Sequence, residues 1–118
     1  MNDYREEITQ YIINNISDYE GTDGEELHNN MFNTDYYIIG TYKAKEWCGN
    51  NTFDIIGAIK EYEQNNFGEI NTDLSNPEQV VNMYAYILGE EILGEFWDLL
   101  NGKLTSDKIK EIKEGLEG

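Results

Sequence analysis

The stretch from residue 76 to residue 100 limits the fold most strongly, because it carries a long apolar stripe at helical spacing. Asn76, Pro77 and Glu78 form a helix start, with a capping amide, a proline at the first helical position and an acid in the first turn. Apolar side chains then recur every three or four positions, at Val81, Tyr84 or Ala85, Leu88, Ile92, Phe96 and Leu99. The pattern predicts one long helix that reaches Leu100 and forms the centre of a mainly α-helical protein.

Shorter stretches of the chain also have helical spacing. The sequence predicts helices over Tyr4–Ile16, Glu25–Phe32, Tyr42–Cys48, Phe53–Gln64 and Asp107–Leu116. Asp3 and Glu6 resemble a capping box for the first helix, and Ser106 is the expected cap of the last. The run Gly49-Asn50-Asn51 predicts a break between the third and the fourth. We therefore expect a single domain over residues 1–118, built as a small bundle of about five helices.

One short run is strand-like. Tyr36-Tyr37-Ile38-Ile39 is aromatic and β-branched, and it lies between Asp35 and Gly40. No second run in the sequence is an obvious pairing partner. A short β segment over residues 36–39, an extended buried segment and the edge of a hairpin all fit the pattern.

Acidic residues dominate the charge of the chain and are unevenly placed. The formal net charge is −16, and residues 61–102 hold nine acids and no base. Residues 1–42 hold nine acids against the single base Arg5, whereas residues 103–118 hold four of each sign. Such a surface repels nucleic acid and anionic lipid, so we expect neither as a direct partner. Fifteen aromatic residues supply a core, which distinguishes the chain from a disordered acidic tail.

The cysteine content and the hydropathy pattern bear on localisation. The chain has one cysteine, Cys48, so it cannot form an intramolecular disulfide, and this is typical of a reducing compartment. No signal-peptide pattern and no apolar run of membrane-spanning length occur in the sequence. We expect a cytoplasmic protein.

A row of carboxylates on the predicted long helix is the leading candidate site. Glu91, Glu95 and Asp98 are spaced i, i+4 and i+7, with no Lys or Arg between them, so they are expected to line one strip. Carboxylates one turn apart are separated by roughly 6 Å, which is comparable to phosphate spacing in a nucleic-acid strand. A solvated helix face explains such a row equally well. The candidate partner-binding residues are acids in both blocks and one aromatic residue: Glu25, Glu26, Glu61, Glu63, Glu78, Glu90, Glu91, Glu95, Trp97 and Asp98.

Patterns for catalysis, metal binding and cofactors are weak. The acidic loop that begins at Asp18 fails as an EF-hand, because its sixth position is Asp23 and its twelfth is Asn29. Cys48 and His28 are each the only residue of their kind, and their spacing matches no zinc motif. No phosphate-binding glycine loop is present. The sequence thus favours a non-enzymatic protein without a metal or a cofactor.

The chain resembles the small acidic proteins that phages and mobile elements use against host defences, namely anti-CRISPR proteins and anti-restriction DNA mimics. The resemblance lies in the size, the two acidic blocks Asp3–Asp35 and Glu61–Asp98, and the lack of catalytic motifs. The stretches Thr41–Cys48, Phe53–Ile56 and Leu88–Leu93 are also similar to phage open reading frames. The resemblance implies an inhibitor that occupies the nucleic-acid groove of a basic protein, first of all a Cas nuclease complex. It assigns no role to any single residue.

Other functions remain open at this point. The target could be a restriction enzyme, or the chain could be a non-catalytic interaction module whose acidity only maintains solubility. Gly89 and Gly94 in the predicted long helix imply a kink or close approach of another helix, which leaves room for a homodimer. Reversing Glu91, Glu95 and Asp98 to Lys is expected to abolish partner binding without unfolding the domain.

Overall fold

The computed structural model describes residues 4–32 and 41–118, apart from the side chains of residues 4, 41–45 and 47–54. Five α-helices lie in these ranges: α1 Tyr4–Asn15, α2 Leu27–Met31, α3 Thr41–Phe67, α4 Pro77–Gly94 and α5 Ser106–Glu117. Two 3₁₀ helices, Ile16–Tyr19 and Gly24–Glu26, follow α1 and precede α2. The described residues contain no β-strand, so the prediction of a mainly α-helical bundle of about five helices is confirmed.

Four local predictions differ from the structure or lie outside it. The predicted break at Gly49-Asn50-Asn51 is wrong, because α3 runs unbroken for 27 residues. The predicted extension to Leu100 is also wrong, since α4 ends at Gly94. Asp3 and the strand-like run 36–39 lie outside the described residues.

The start of α4 and the start of α5 show how side chains set helix ends. The Asn76 side-chain oxygen accepts hydrogen bonds from the N–H groups of Glu78 and Gln79, as its capping role predicts. At α5 the cap is Thr105, whose hydroxyl accepts from the N–H of Lys108. The prediction that Ser106 caps this helix is therefore wrong by one residue.

The chain folds into two compact units. The first consists of Met1–Asn33 and Leu88–Gly118. Its buried side chains come from α1, α2, the end of α4, α5 and the segments next to them, and include Ile8, Ile12, Leu27, Met31, Phe32, Ile92, Leu93, Leu104 and Ile112. Two loops of this unit join by backbone hydrogen bonds, with the Gly24 N–H donating to the Gly102 carbonyl at 2.7 Å.

The second unit is Thr34–Ile87, which contains the whole of α3 and the first part of α4. Ile55, Ile59, Val80 and Val81 are buried there. Because α4 contributes residues to both units, it is shared between them. A single domain over residues 1–118 stays a prediction.

Candidate functional site

The α-helix α4 ends at Gly94, and the next six residues are turns. Residues 95–100 form successive turns, in which the N–H of Trp97 donates to the Gly94 carbonyl at 3.3 Å and that of Leu100 to Trp97 at 3.1 Å. Glu91 therefore lies in the last turn of α4, while Glu95 and Asp98 lie beyond the helix. The prediction that these three carboxylates lie on one helix is therefore wrong.

Arg5 of α1 contacts two of these carboxylates. Its guanidinium donates to Glu91 at 3.4 Å and to Glu95 at 3.2 Å, and all three side chains are solvent-exposed. The sequence places Arg5 far from both acids, so spacing alone could not reveal this pairing. An exposed ion pair is worth about 0–1 kcal/mol, which makes Arg5 a weak and replaceable counter-ion.

The carboxylates are concentrated at the electronegative end of α4. Glu90, Glu91, Glu95 and Asp98 are exposed, and the last turn of the helix has no basic residue. Carbonyl groups at a helix C-terminus carry a partial negative charge, which adds to the field of these acids and opposes their placement there. Helix stability therefore does not account for this arrangement.

Trp97 lies between Glu95 and Asp98 in the chain, and 65% of its surface is exposed. It is the most exposed large apolar side chain among the described residues. The ring of its half-buried neighbour Phe96 lies against Gly115 of α5, where an added Cβ would be 2.5 Å from the ring. We call Glu90, Glu91, Glu95, Trp97 and Asp98 the acidic end of α4.

The remaining predicted site residues have different environments. Glu25 and Glu26 are exposed in the first unit, and Glu61 is exposed in the second, where Glu78 is half-buried. Glu63 is only 1% exposed, and its carboxylate accepts hydrogen bonds from the N–H groups of Asn71 and Thr72. Its prediction as a partner-binding residue is wrong, because it fixes a loop inside the second unit.

The described part of the chain shows no metal-binding cluster. No group of three or more His, Cys, Asp or Glu side chains that could hold a metal ion occurs there. His28 packs against Phe32, with 5.6 Å between ring centroids, and the Cys48 side chain is not among those described. Across the same residues, no helix combines the length and hydropathy needed to cross a bilayer.

Comparisons with protein-family models, curated proteins and solved structures found no match to this chain.

Two roles could not be identified from sequence, those of Arg5 and Glu63. The only sequence signal for Arg5 is that it is the sole base among the first 42 residues. Glu63 has a weak signal in its spacing of four from Ile59, which places it on a buried helix face.

Proposed function

We propose that this protein is a non-catalytic inhibitor of the anti-CRISPR class, encoded by a phage or a mobile element and acting in the host cytosol. Its partner is a basic nucleic-acid-binding protein, a Cas nuclease complex. The inhibitor places carboxylates where the nuclease normally holds phosphates of DNA or RNA. The supporting observation is the acidic end of α4. Its four carboxylates are exposed and lie on both sides of Trp97 in the sequence, and 65% of the Trp97 surface is exposed as well.

The physical basis of the proposed inhibition is competition for cationic side chains. Lys and Arg groups in a nucleic-acid groove attract any dense array of negative charge, and opposite fields accelerate association. A guanidinium from the partner can replace Arg5 at Glu91 and Glu95, because that pair is exposed and weak. Trp97 then adds the large contact area that aromatic anchors contribute to interfaces.

Competition binding with a guide-loaded Cas nuclease and a labelled target DNA tests this proposal. The test variant replaces Glu91 and Glu95 by Gln and Asp98 by Asn. Neutral amides are preferable to Lys, because they remove the negative charges without adding like-charge repulsion against Arg5. The matched control replaces Glu111, Glu114 and Glu117 by Gln, three exposed acids of α5 that give the same change in net charge.

The unmodified protein is expected to displace the DNA, and displacement should weaken as salt rises from about 50 mM to about 300 mM. We expect the test variant to lose at least about tenfold in affinity and the α5 control to lose much less. Equal losses of affinity in the test variant and the α5 control would mean that binding depends on the net charge and not on where the carboxylates lie. Displacement from a restriction enzyme, but not from a Cas nuclease, would move the assignment to the anti-restriction class.

A further inference from the structure

Two of the three exposed large apolar side chains in the described residues are only three positions apart in the chain, in the second unit. Phe67, the last residue of α3, is 53% exposed, and Ile70 in the following loop is 37% exposed. The half-buried Tyr62 lies beside Phe67, with the two rings edge-on at 6.2 Å between centroids. Single exposed apolar residues are ordinary, whereas neighbouring ones form a patch that can take part in binding.

The loop that carries Ile70 is firmly held. Gly68 turns the chain with a φ of +75°, and the buried Glu63 carboxylate then accepts from Asn71 at 2.8 Å and from Thr72 at 3.2 Å. Farther along, the Ser75 hydroxyl and N–H donate to Asp73 and lower the pKa of its carboxyl group. Burying a carboxyl group is costly unless it is hydrogen-bonded, and these bonds from Asn71 and Thr72 both satisfy Glu63 and fix the backbone directly after Ile70.

The surroundings of this patch are electronegative. Glu61, Glu69 and Asp73 are exposed on the elements that carry it, and the last turn of α3 has no basic residue to offset the helix macrodipole. The nearest base in sequence is Lys60, about two helical turns before Phe67. A second copy of this chain would bring the same negative charge against it, which disfavours self-association through the patch.

We propose that Phe67, Ile70 and Tyr62 form a docking surface for a basic, amphipathic protein segment, whose apolar side chains cover the patch while its Lys or Arg side chains meet Glu61, Glu69 and Asp73. The rigid loop reduces the entropy lost when the segment binds. This surface belongs to the second unit and does not depend on the acidic end of α4.

The probe is the octapeptide Lys-Leu-Lys-Lys-Leu-Leu-Lys-Lys, titrated into the ¹⁵N-labelled full chain and followed by NMR. We expect shifts concentrated in the amides around residues 62–72. Affinity should fall about tenfold for the variant with Phe67→Ser and Ile70→Ser, and also for a peptide with serine in place of leucine. Glu111→Gln, a change of an exposed acid of α5 in the first unit, should leave the affinity almost unchanged. Unchanged dispersed spectra establish that each variant is folded.

Equal binding of the serine peptide would overturn the docking surface, because attraction would then be purely electrostatic. Unchanged binding by the double variant would overturn it as well. If the unmodified chain self-associates and the double variant does not, the patch binds a second copy of the chain, and the proposal is wrong. Failure of the Cas competition experiment leaves these outcomes unaffected, since that experiment alters only residues of the first unit.

Discussion

At the residue scale, Gly89 shows why a glycine occurs inside a packed helix. A Cβ placed on this residue would lie 2.5 Å from the Phe32 ring, whose own side chain is buried. The interpretation of Gly89 as a point of close approach is supported, although the neighbour is an aromatic side chain and not another helix. Gly94 has open space around its Cβ position and is the last residue of α4.

The variant Gly89→Ala is expected to lower the free energy of unfolding by about 1–3 kcal/mol, because overpacking against Phe32 outweighs the better helix propensity of alanine. Gly94→Ala is the matched control and should change it by less than about 1 kcal/mol. Urea denaturation of both variants provides the measurement. Similar free energies of unfolding for the two variants would show that the Phe32 ring moves aside at little cost.

Arg5 is the residue whose replacement should affect stability and binding in opposite directions. Since its ion pairs with Glu91 and Glu95 are exposed, Arg5→Gln should cost less than about 1 kcal/mol of stability. The same change leaves two more carboxylates available to a basic partner and should increase the affinity for it. Thermal denaturation and the nuclease competition experiment measure the two effects. A loss of affinity in this variant would indicate that Arg5 itself contacts the partner.

At the element scale, local patterns predicted helix starts better than helix continuations. The start of α4 follows from the chemistry of three adjacent residues, and Asn76 makes the predicted hydrogen bonds. The course of α3 through Gly49, Asn50 and Asn51 does not follow from local propensity, which is a weak constraint once tertiary packing contributes. The end of α4 at Gly94 could not be predicted from apolar spacing either. Phe96 and Leu99 continue the helical spacing, although residues 95–100 form turns.

The loop between α3 and α4 should depend on Glu63. Replacing it with Ala removes the acceptor for the N–H groups of Asn71 and Thr72 and should cost about 1–3 kcal/mol. Hydrogen exchange at these two amides should accelerate more than in the helices. Glu61→Ala, a change of an exposed acid two residues earlier on the same helix, is the control and should leave both amides protected. Unaltered exchange in the Glu63 variant would show that other contacts hold the loop.

At the scale of the whole molecule, the negative charge of the two acidic blocks was evident from the sequence, but its spatial arrangement was not. Folding buries Glu63, pairs Glu91 and Glu95 with a distant arginine, and sets Asp98 beyond a helix end. Spacing predicts which residues share a helix face only while the helix continues. The acidic end of α4 therefore holds five of the ten predicted site residues, with Trp97 exposed just beyond the helix.

The net charge of −16 leads to opposite salt effects on folding and on partner binding. Mutual repulsion of carboxylates opposes the compact state and is screened as the Debye length falls from about 30 Å at 0.01 M salt to about 8 Å at 0.15 M. The midpoint of urea denaturation should therefore rise over this range of NaCl. Over the same range the association rate with a basic partner should fall at least about tenfold, since steering is screened too. Sodium sulfate at equal ionic strength is the control, because sulfate also strengthens apolar burial. Stabilisation by sulfate but not by chloride would show that charge repulsion contributes little to the stability of the fold, and that the acidic surface can be changed without a cost to folding.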